Sequence, residues 1–181
     1  MVDPVFPHRE VIHEGKHLRF VKQGSWEHVE RTRGDLAVVI VAATDSGALL
    51  LVEQMRLPVQ RRVIELPAGL VGDIHGQEQE SALVAAAREL EEETGYRAAS
   101  LEVICTGPIS PGLTTETIVL LRAKGLKRVG PGGGDASEEI TVHEVPLKEL
   151  ETWLEGKRRD GVLVDPKVYF AALLSQAPPT T

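Results

Sequence analysis

The chain has 181 residues, 42% of them hydrophobic and 26% charged, with a net charge of −7. That length and ordinary apolar content suit one domain with a proper core and exclude a low-complexity chain. The negative balance argues against nucleic acid or an anionic membrane as a partner, and the single cysteine, Cys105, excludes an internal disulfide.

Residues 1–10 are punctuated by proline and read as loosely held. Met1 to Arg19 has no apolar core, so no secretory signal is read there, and no run approaches membrane-spanning length; the expected location is the cytoplasm. His17 to Lys22 alternates, Gly24-Ser25 turns, and Trp26 to Arg31 alternates again, which predicts two short strands. A two-stranded unit is marginal alone, so residues 1–33 should dock either on the main domain, 34–181, or on a second subunit. Leu36 to Ala43 is continuously apolar, as in a strand buried on both faces. Asp45-Ser46-Gly47 turns it into Ala48 to Arg56, and Val63 to Leu66 runs into the turn Pro67-Ala68-Gly69. Leu101 to Thr106, with Cys105 as a small buried hydrophobe, and Thr117 to Arg122 are further strands around the loop Ser110 to Glu116. Gly130-Pro131-Gly132-Gly133-Gly134 cannot hold regular structure and is either a hinge or lid or a surface connection. Glu139 to Val145 is a strand and Pro146 to Glu155 a helix stopped by Gly156. Asp165-Pro166 caps a last helix, Lys167 to Ser175, before a tail expected to be disordered. Strands and helices mix without strict alternation, which predicts a mixed sheet with helices on both faces.

The chemistry centres on Arg88-Glu89-Leu90-Glu91-Glu92-Glu93-Thr94-Gly95-Tyr96. It follows the alanine-rich run Ser81 to Ala87, a strong helix former, and Gly95 supplies a left-handed stop. At roughly 100° per residue Glu89, Glu92 and Glu93 share one arc, Leu83, Ala87 and Leu90 a neighbouring arc that can be buried, and Glu91 points away. Like charges at this spacing repel, and acids at a helix C-terminus oppose its dipole. The face is either a solvated acidic surface or a seat for a hard divalent ion, Mg²⁺ by preference.

Arg88-Glu89-Leu90, Glu92-Glu93 and Gly95-Tyr96 resemble the second half of the Nudix box, GX5EX7REUXEEXGU with U an apolar residue, and Glu80 stands at the required distance before Arg88. The glycine expected before Glu80 is replaced by Ile74; Gly69 supplies it if the polar loop Val71 to Gln79 is an insertion, whereas Gly72 with Glu78 spoils the spacing to Arg88. The resemblance implies the Nudix fold, an α/β/α sandwich with a mixed sheet, plus a small N-terminal β segment. It implies a hydrolase of nucleoside diphosphate conjugates dependent on Mg²⁺, with Mn²⁺ as an alternative. Implied metal ligands are Glu89, Glu93 and the Ala68 carbonyl, with Glu92 beside them, while Arg88 orients the acids.

The flanks are similar to the ADP-ribose pyrophosphatase, or ADP-sugar, group: Val52-Glu53-Gln54-Met55-Arg56, Glu65-Leu66-Pro67-Ala68-Gly69, and Pro111 downstream of the box. By this resemblance Trp26 stacks the adenine with His17 in the opposing place, and Arg31 and Arg56 hold phosphate. The base that activates water lies on Asp135-Ala136-Ser137-Glu138-Glu139: Glu139 first, then Glu138, with Glu116 a further candidate. The implied assembly is a homodimer with the N-terminal strands exchanged or packed across the interface. The expected partner is a small nucleotide sugar, not nucleic acid and not membrane.

Overall fold

Apolar runs standing between turn residues set the order of elements, and the computed structural model describes residues 6–74, 76, 79–134 and 139–176. Strands β1 (Arg9–Glu14), β2 (Leu18–Gln23) and β3 (Trp26–Arg31) form an antiparallel N-terminal sheet. Then come β4 (Leu36–Ala42), β5 (Ala48–Arg56), β6 (Arg61–Glu65), β7 (Ala68–Leu70) and helix α1 (Ala82–Thr94). After it run β8 (Tyr96–Arg97), β9 (Ser100–Pro108), β10 (Thr117–Lys124), β11 (Lys127–Arg128) and β12 (Thr141–Pro146). Helix α2 (Leu150–Arg159), β13 (Leu163–Val164) and helix α3 (Lys167–Gln176) complete the described chain. One sheet has the order β7-β4-β10-β9 and another β12-β5-β6-β13; β10 runs parallel to β4 and β13 parallel to β6, while the other pairings are antiparallel.

Strand alternation divides the core. Val38, Ile40 and Ala42 of β4 face Ala85, Ala86 and Leu90 of α1. Val39 and Val41 face the other way, toward Leu154 of α2 and Val168 and Ala171 of α3. This is an α/β/α sandwich, and it explains why the predicted strand at Leu36 shows no polar alternation. Each valine, isoleucine or leucine among them fully removed from water contributes about 2 kcal/mol. Among the described residues no helix is long and apolar enough to cross a membrane.

Several expectations are corrected. Residues 9–14 are a strand that takes in the last two residues of the stretch 1–10 expected to be loosely held; every side chain of β1 is exposed, so no buried face marks it in the sequence. On α1, Leu83 is 45% exposed and Ala87 is also exposed, while Ala85 and Ala86 are buried. An alanine-rich helix has apolar residues on most arcs, and the sheet selects the smallest ones for close approach. Cys105 is exposed because β9 is the edge of its sheet. Ala68–Leu70 pairs with β4 as a short strand. Helix α2 starts at Leu150 after a 3-10 turn, Leu147–Glu149, and passes through Gly156; the left-handed glycine beyond its end is Gly161, φ 83°. The C-terminal tail, 177–181, lies outside the described residues.

The N-terminal sheet docks on the main body of its own chain. Val29 N–H donates to the Leu113 carbonyl at 2.8 Å, and Thr115 N–H donates to the Val29 carbonyl at 3.3 Å. The glycine-rich run is no loose connection either. Gly133 N–H donates to the Glu93 carbonyl at 2.8 Å and Gly134 N–H to the Glu92 carbonyl at 3.0 Å, so residues 130–134 are strapped across the end of α1. A Cβ on Gly132 would come 2.4 Å from the Thr94 carbonyl carbon, which is why glycine stands there.

On the α2 side, Glu53 receives Lys157 Nζ at 2.6 Å, Arg62 Nε at 2.8 Å and His143 Nε2 at 2.9 Å. Burial alone would push this carboxyl up, but the bonds from Lys157, Arg62 and His143 outweigh it and hold it at about 2, below its ordinary 4.5. A lowered folded-state pKa stabilises above the unfolded value, here by on the order of 3 kcal/mol. That contribution is therefore present above pH 4.5 and lost as pH falls toward about 2. Glu53→Gln should cost about 3 kcal/mol in urea unfolding at pH 7, since Lys157 and Arg62 lose their buried carboxylate. Its stability should also fall less steeply than wild type over that acid window. Parallel acid limbs would remove Glu53 from the account.

Candidate active site on the acidic helix

Local structure first places α1. Ser81 caps it, accepting from Val84 N–H at 3.3 Å, and Gly95 ends it in the left-handed region at φ 75°. The buried arc then turns Glu89 and Glu93 toward β7 rather than toward solvent. Glu93 is 2% exposed and accepts from Ala68 N–H at 3.0 Å. Gly69 leaves room for the Glu89 carboxyl: a Cβ there would lie 2.0 Å from it and push that side chain aside.

Arg88 organises the acids. Its Nη1 donates to Glu89 at 2.8 Å and to Glu92 at 3.2 Å. Its Nε and Nη2 reach the two oxygens of Glu80, each at 3.2 Å, and Nη2 also reaches the Leu70 carbonyl at 3.4 Å and Asp73 at 3.5 Å. Glu80, with a side chain 2% exposed, is thus the clamp that fixes Arg88. Burial works against the Arg88 charge, but Glu80 and Glu89 outweigh it and push its pKa up. Burial pushes Glu89 up to about 7 although Arg88 pulls it down; Glu92 and Asp73 add to the rise. The cluster is short of positive charge.

Glu89 and Glu93 line a cavity of about 400 Å³ together with Ala68, Gly69, Arg31, Arg56 and Glu116. Arg56 Nε donates to Glu65 at 2.7 Å, and Arg31 pairs with Glu116. Gln54, Glu65 and Lys167 also face this cavity, and no motif in the sequence marks them as site residues. Gln54 and Glu65 stood inside the segments already singled out, whereas nothing in the sequence marked Lys167 beyond its place after the cap at Asp165.

Other expected site residues stand elsewhere. Glu92 is bound to Arg88 and is not part of the cavity wall. Trp26, 62% exposed, lies in a separate depression with Pro111 and Phe6, and His17 lies in a third, so one chain does not bring these two rings together. Glu139, with a side chain 90% exposed, stands 3.7 Å from Arg62 outside the cavity wall. Glu138 lies outside the described residues.

The NUDIX domain model matches residues 33–165, from the end of the N-terminal sheet to the cap of α3. The chain belongs to the Nudix family. It is 37% identical over 123 residues to the methanol dehydrogenase activator of Bacillus methanolicus, covering 67% of this chain and 64% of that one. It is 36% identical over 122 residues to the ADP-ribose pyrophosphatase of Bacillus subtilis (strain 168), covering 67% of this chain and 63% of that one. The chain thus spans less than two thirds of the length of these two relatives. A crystal structure described as an ADP compounds hydrolase superposes with a TM-score of 0.63 at 22% identity, over 84% of this chain and 83% of that one, and shares the fold.

Nudix proteins generally use divalent metal ions. Among the described residues no three His, Cys, Asp or Glu side chains converge as a ready cage. A hard ion that keeps several waters needs only one or two carboxylates from the protein. Glu89 and Glu93 in one cavity, beside the Ala68 segment, fit that demand, and the charge deficit at Glu89 fits it too. Gly69→Ala should displace the Glu89 carboxyl and weaken divalent-ion binding at least about tenfold, read from the midpoint of a thermal-shift titration. An unchanged midpoint would remove Glu89 from the ion site.

Proposed function

We propose that this chain hydrolyses the diphosphate bridge of ADP-ribose, or a related ADP-sugar, to AMP and ribose 5-phosphate with Mg²⁺ as cofactor. The observation that carries the reading is one cavity holding both signs of charge: Glu89 and Glu93 at the acidic helix, and Arg31, Arg56 and Lys167 among its other walls. A diphosphate and a divalent ion together call for that mixture, while an apolar ligand calls for neither sign. The likeness to an ADP-ribose pyrophosphatase supports the choice of substrate.

The residues divide the work. Glu89, Glu93 and the Ala68 carbonyl would hold the ion; Glu92 and Arg88 keep the acids in place. When bound, the ion neutralises phosphate charge and lowers the pKa of a coordinated water. Arg31 and Arg56, each already directed by a carboxylate, would hold phosphate oxygens, and Glu116 sets the position of Arg31. The acid that takes the proton from water is assigned to the Glu138–Glu139 segment, on the family resemblance alone.

The reading includes a homodimer. The family match begins at residue 33, which supports treating residues 1–33 as a separate β segment. Val11, Ile12 and Leu18 of that segment are 39%, 49% and 48% exposed, an apolar surface suited to an interface. Trp26, absent from the acid cavity of its own chain, would stack adenine at the partner's site.

A nucleotide panel with Mg²⁺ and Mn²⁺ tests the substrate: release of AMP from ADP-ribose is expected, and a strong preference for GDP-mannose would overturn the adenine assignment. Glu93→Gln should lower kcat at least about a hundredfold with the fold intact by circular dichroism. Near-normal turnover would take α1 out of the mechanism. Trp26→Ala should raise KM more than it lowers kcat, since a stacked base is remote from the bond that breaks; an unchanged KM would end the stacking role.

A further inference from the structure

A second depression, about 420 Å³, shares Arg31, Leu70 and Asp73 with the acid cavity. Its remaining walls include Lys16, His17 and Arg33, all exposed. In a chain of net charge −7 most arginines of the described residues sit on carboxylates, as Arg31 of this same wall does on Glu116 and Arg56 on Glu65. Among the described residues the side chains of Lys16 and Arg33 have no such partner. Two cations that face one hollow repel each other, and an anion between them relieves the repulsion.

The backbone carrying them is fixed. Thr32 N–H donates to the His17 carbonyl at 3.0 Å, and Thr32 Oγ1 donates to the Lys16 carbonyl at 2.9 Å. Those bonds tie the start of β2 to the end of β3, with Lys16 on one side and Arg33 on the other. The acid in this wall, Asp73, stands 3.5 Å from Arg88, which offsets part of its charge.

We propose that this depression is a subsite for a phosphomonoester at the end of the substrate distal to the nucleoside. It would favour nucleoside diphosphate sugars whose distal sugar is itself phosphorylated, and it would retain a sugar phosphate product. The inference rests on the diphosphate-cleaving function proposed above for the neighbouring cavity and extends its substrate class.

Calorimetry in metal-free buffer tests the subsite without turnover, using ribose 5-phosphate, inorganic phosphate and ribose on the full chain. Ribose 5-phosphate should bind at least about tenfold more tightly than ribose, because charge-assisted hydrogen bonds are lost without the phosphate. Lys16→Ala combined with Arg33→Ala should erase that difference while kcat on ADP-ribose and Tm stay at wild-type values. Lys16→Glu with Arg33→Glu should weaken ribose 5-phosphate binding below that of the alanine pair. A substrate arm compares ADP-ribose with ADP-ribose phosphorylated on its distal ribose: wild type should show the lower KM for the latter, and the double variant should not. Equal binding of ribose 5-phosphate by wild type and both variants would overturn the subsite. If wild type left ADP-ribose uncut, the proposed function would fall, and the calorimetric arm would still decide this one.

Discussion

One guanidinium among several carboxylates is the constraint on which this structure depends. Arg88 contacts Glu80, Glu89, Glu92 and Asp73, and its side chain is only 17% exposed. At an effective dielectric of about 20, two unit charges 4 Å apart interact by about 4 kcal/mol, so a lone cation stabilises one or two of these acids well and the rest poorly. Glu80 takes both nitrogens on one edge of the fork. Glu89 shares what remains, and its carboxyl rises to about 7, chiefly through burial. The protein leaves an electrostatic deficit at Glu89, in the wall of a cavity that Glu93 also lines, where a small cation can make it good.

Hydrogen bonds at both ends of α1 hold that deficit in place. The N-terminus has its serine cap, and the C-terminus has the strap of glycines whose N–H groups donate to the carbonyls of Glu92 and Glu93. Donors at that end offset the negative pole that the glutamates would otherwise face. Glu93 is fixed twice, by its carbonyl on Gly133 and by its carboxylate on Ala68 N–H. At Gly132 backbone lies against backbone closer than a Cβ allows, and at Gly69 the missing Cβ leaves the Glu89 carboxylate its place.

What could be read from the sequence was what repeats or punctuates. The continuous apolar run at Leu36, the alanine-rich helix with its terminal glycine, and the spacing from Glu80 to Glu93 all carry their signal within a dozen or so residues. The rest depends on contacts between distant segments. Strand β1 buries nothing and shows no pattern; it exists through its ladder to β2 and the ion pair of Arg9 with Glu30. The buried face of α1 was ambiguous because alanine fits any face. The strap could be read as lid or linker because its partner, the end of α1, lies more than thirty residues earlier. The separation of Trp26 from the acid cavity is likewise a matter of which sheet lands where.

Two glutamates show how environment, not residue type, decides a role. Glu53 and Gln54 are neighbours on β5, so their side chains leave the sheet on opposite faces. On one face Glu53 meets Lys157, Arg62 and His143; its carboxyl falls to about 2, and its charge is spent on holding α2 to the sheet. On the other, Gln54 lines the cavity that Glu89 also lines, and there burial, against the pull of a shared arginine, raises the Glu89 carboxyl to about 7. A fully compensated acid has little attraction left for an incoming cation, and an undercompensated one has much. The same sheet thus carries a charge cluster that stabilises the fold and, through its other face, a cavity whose charge is left open for a ligand to complete.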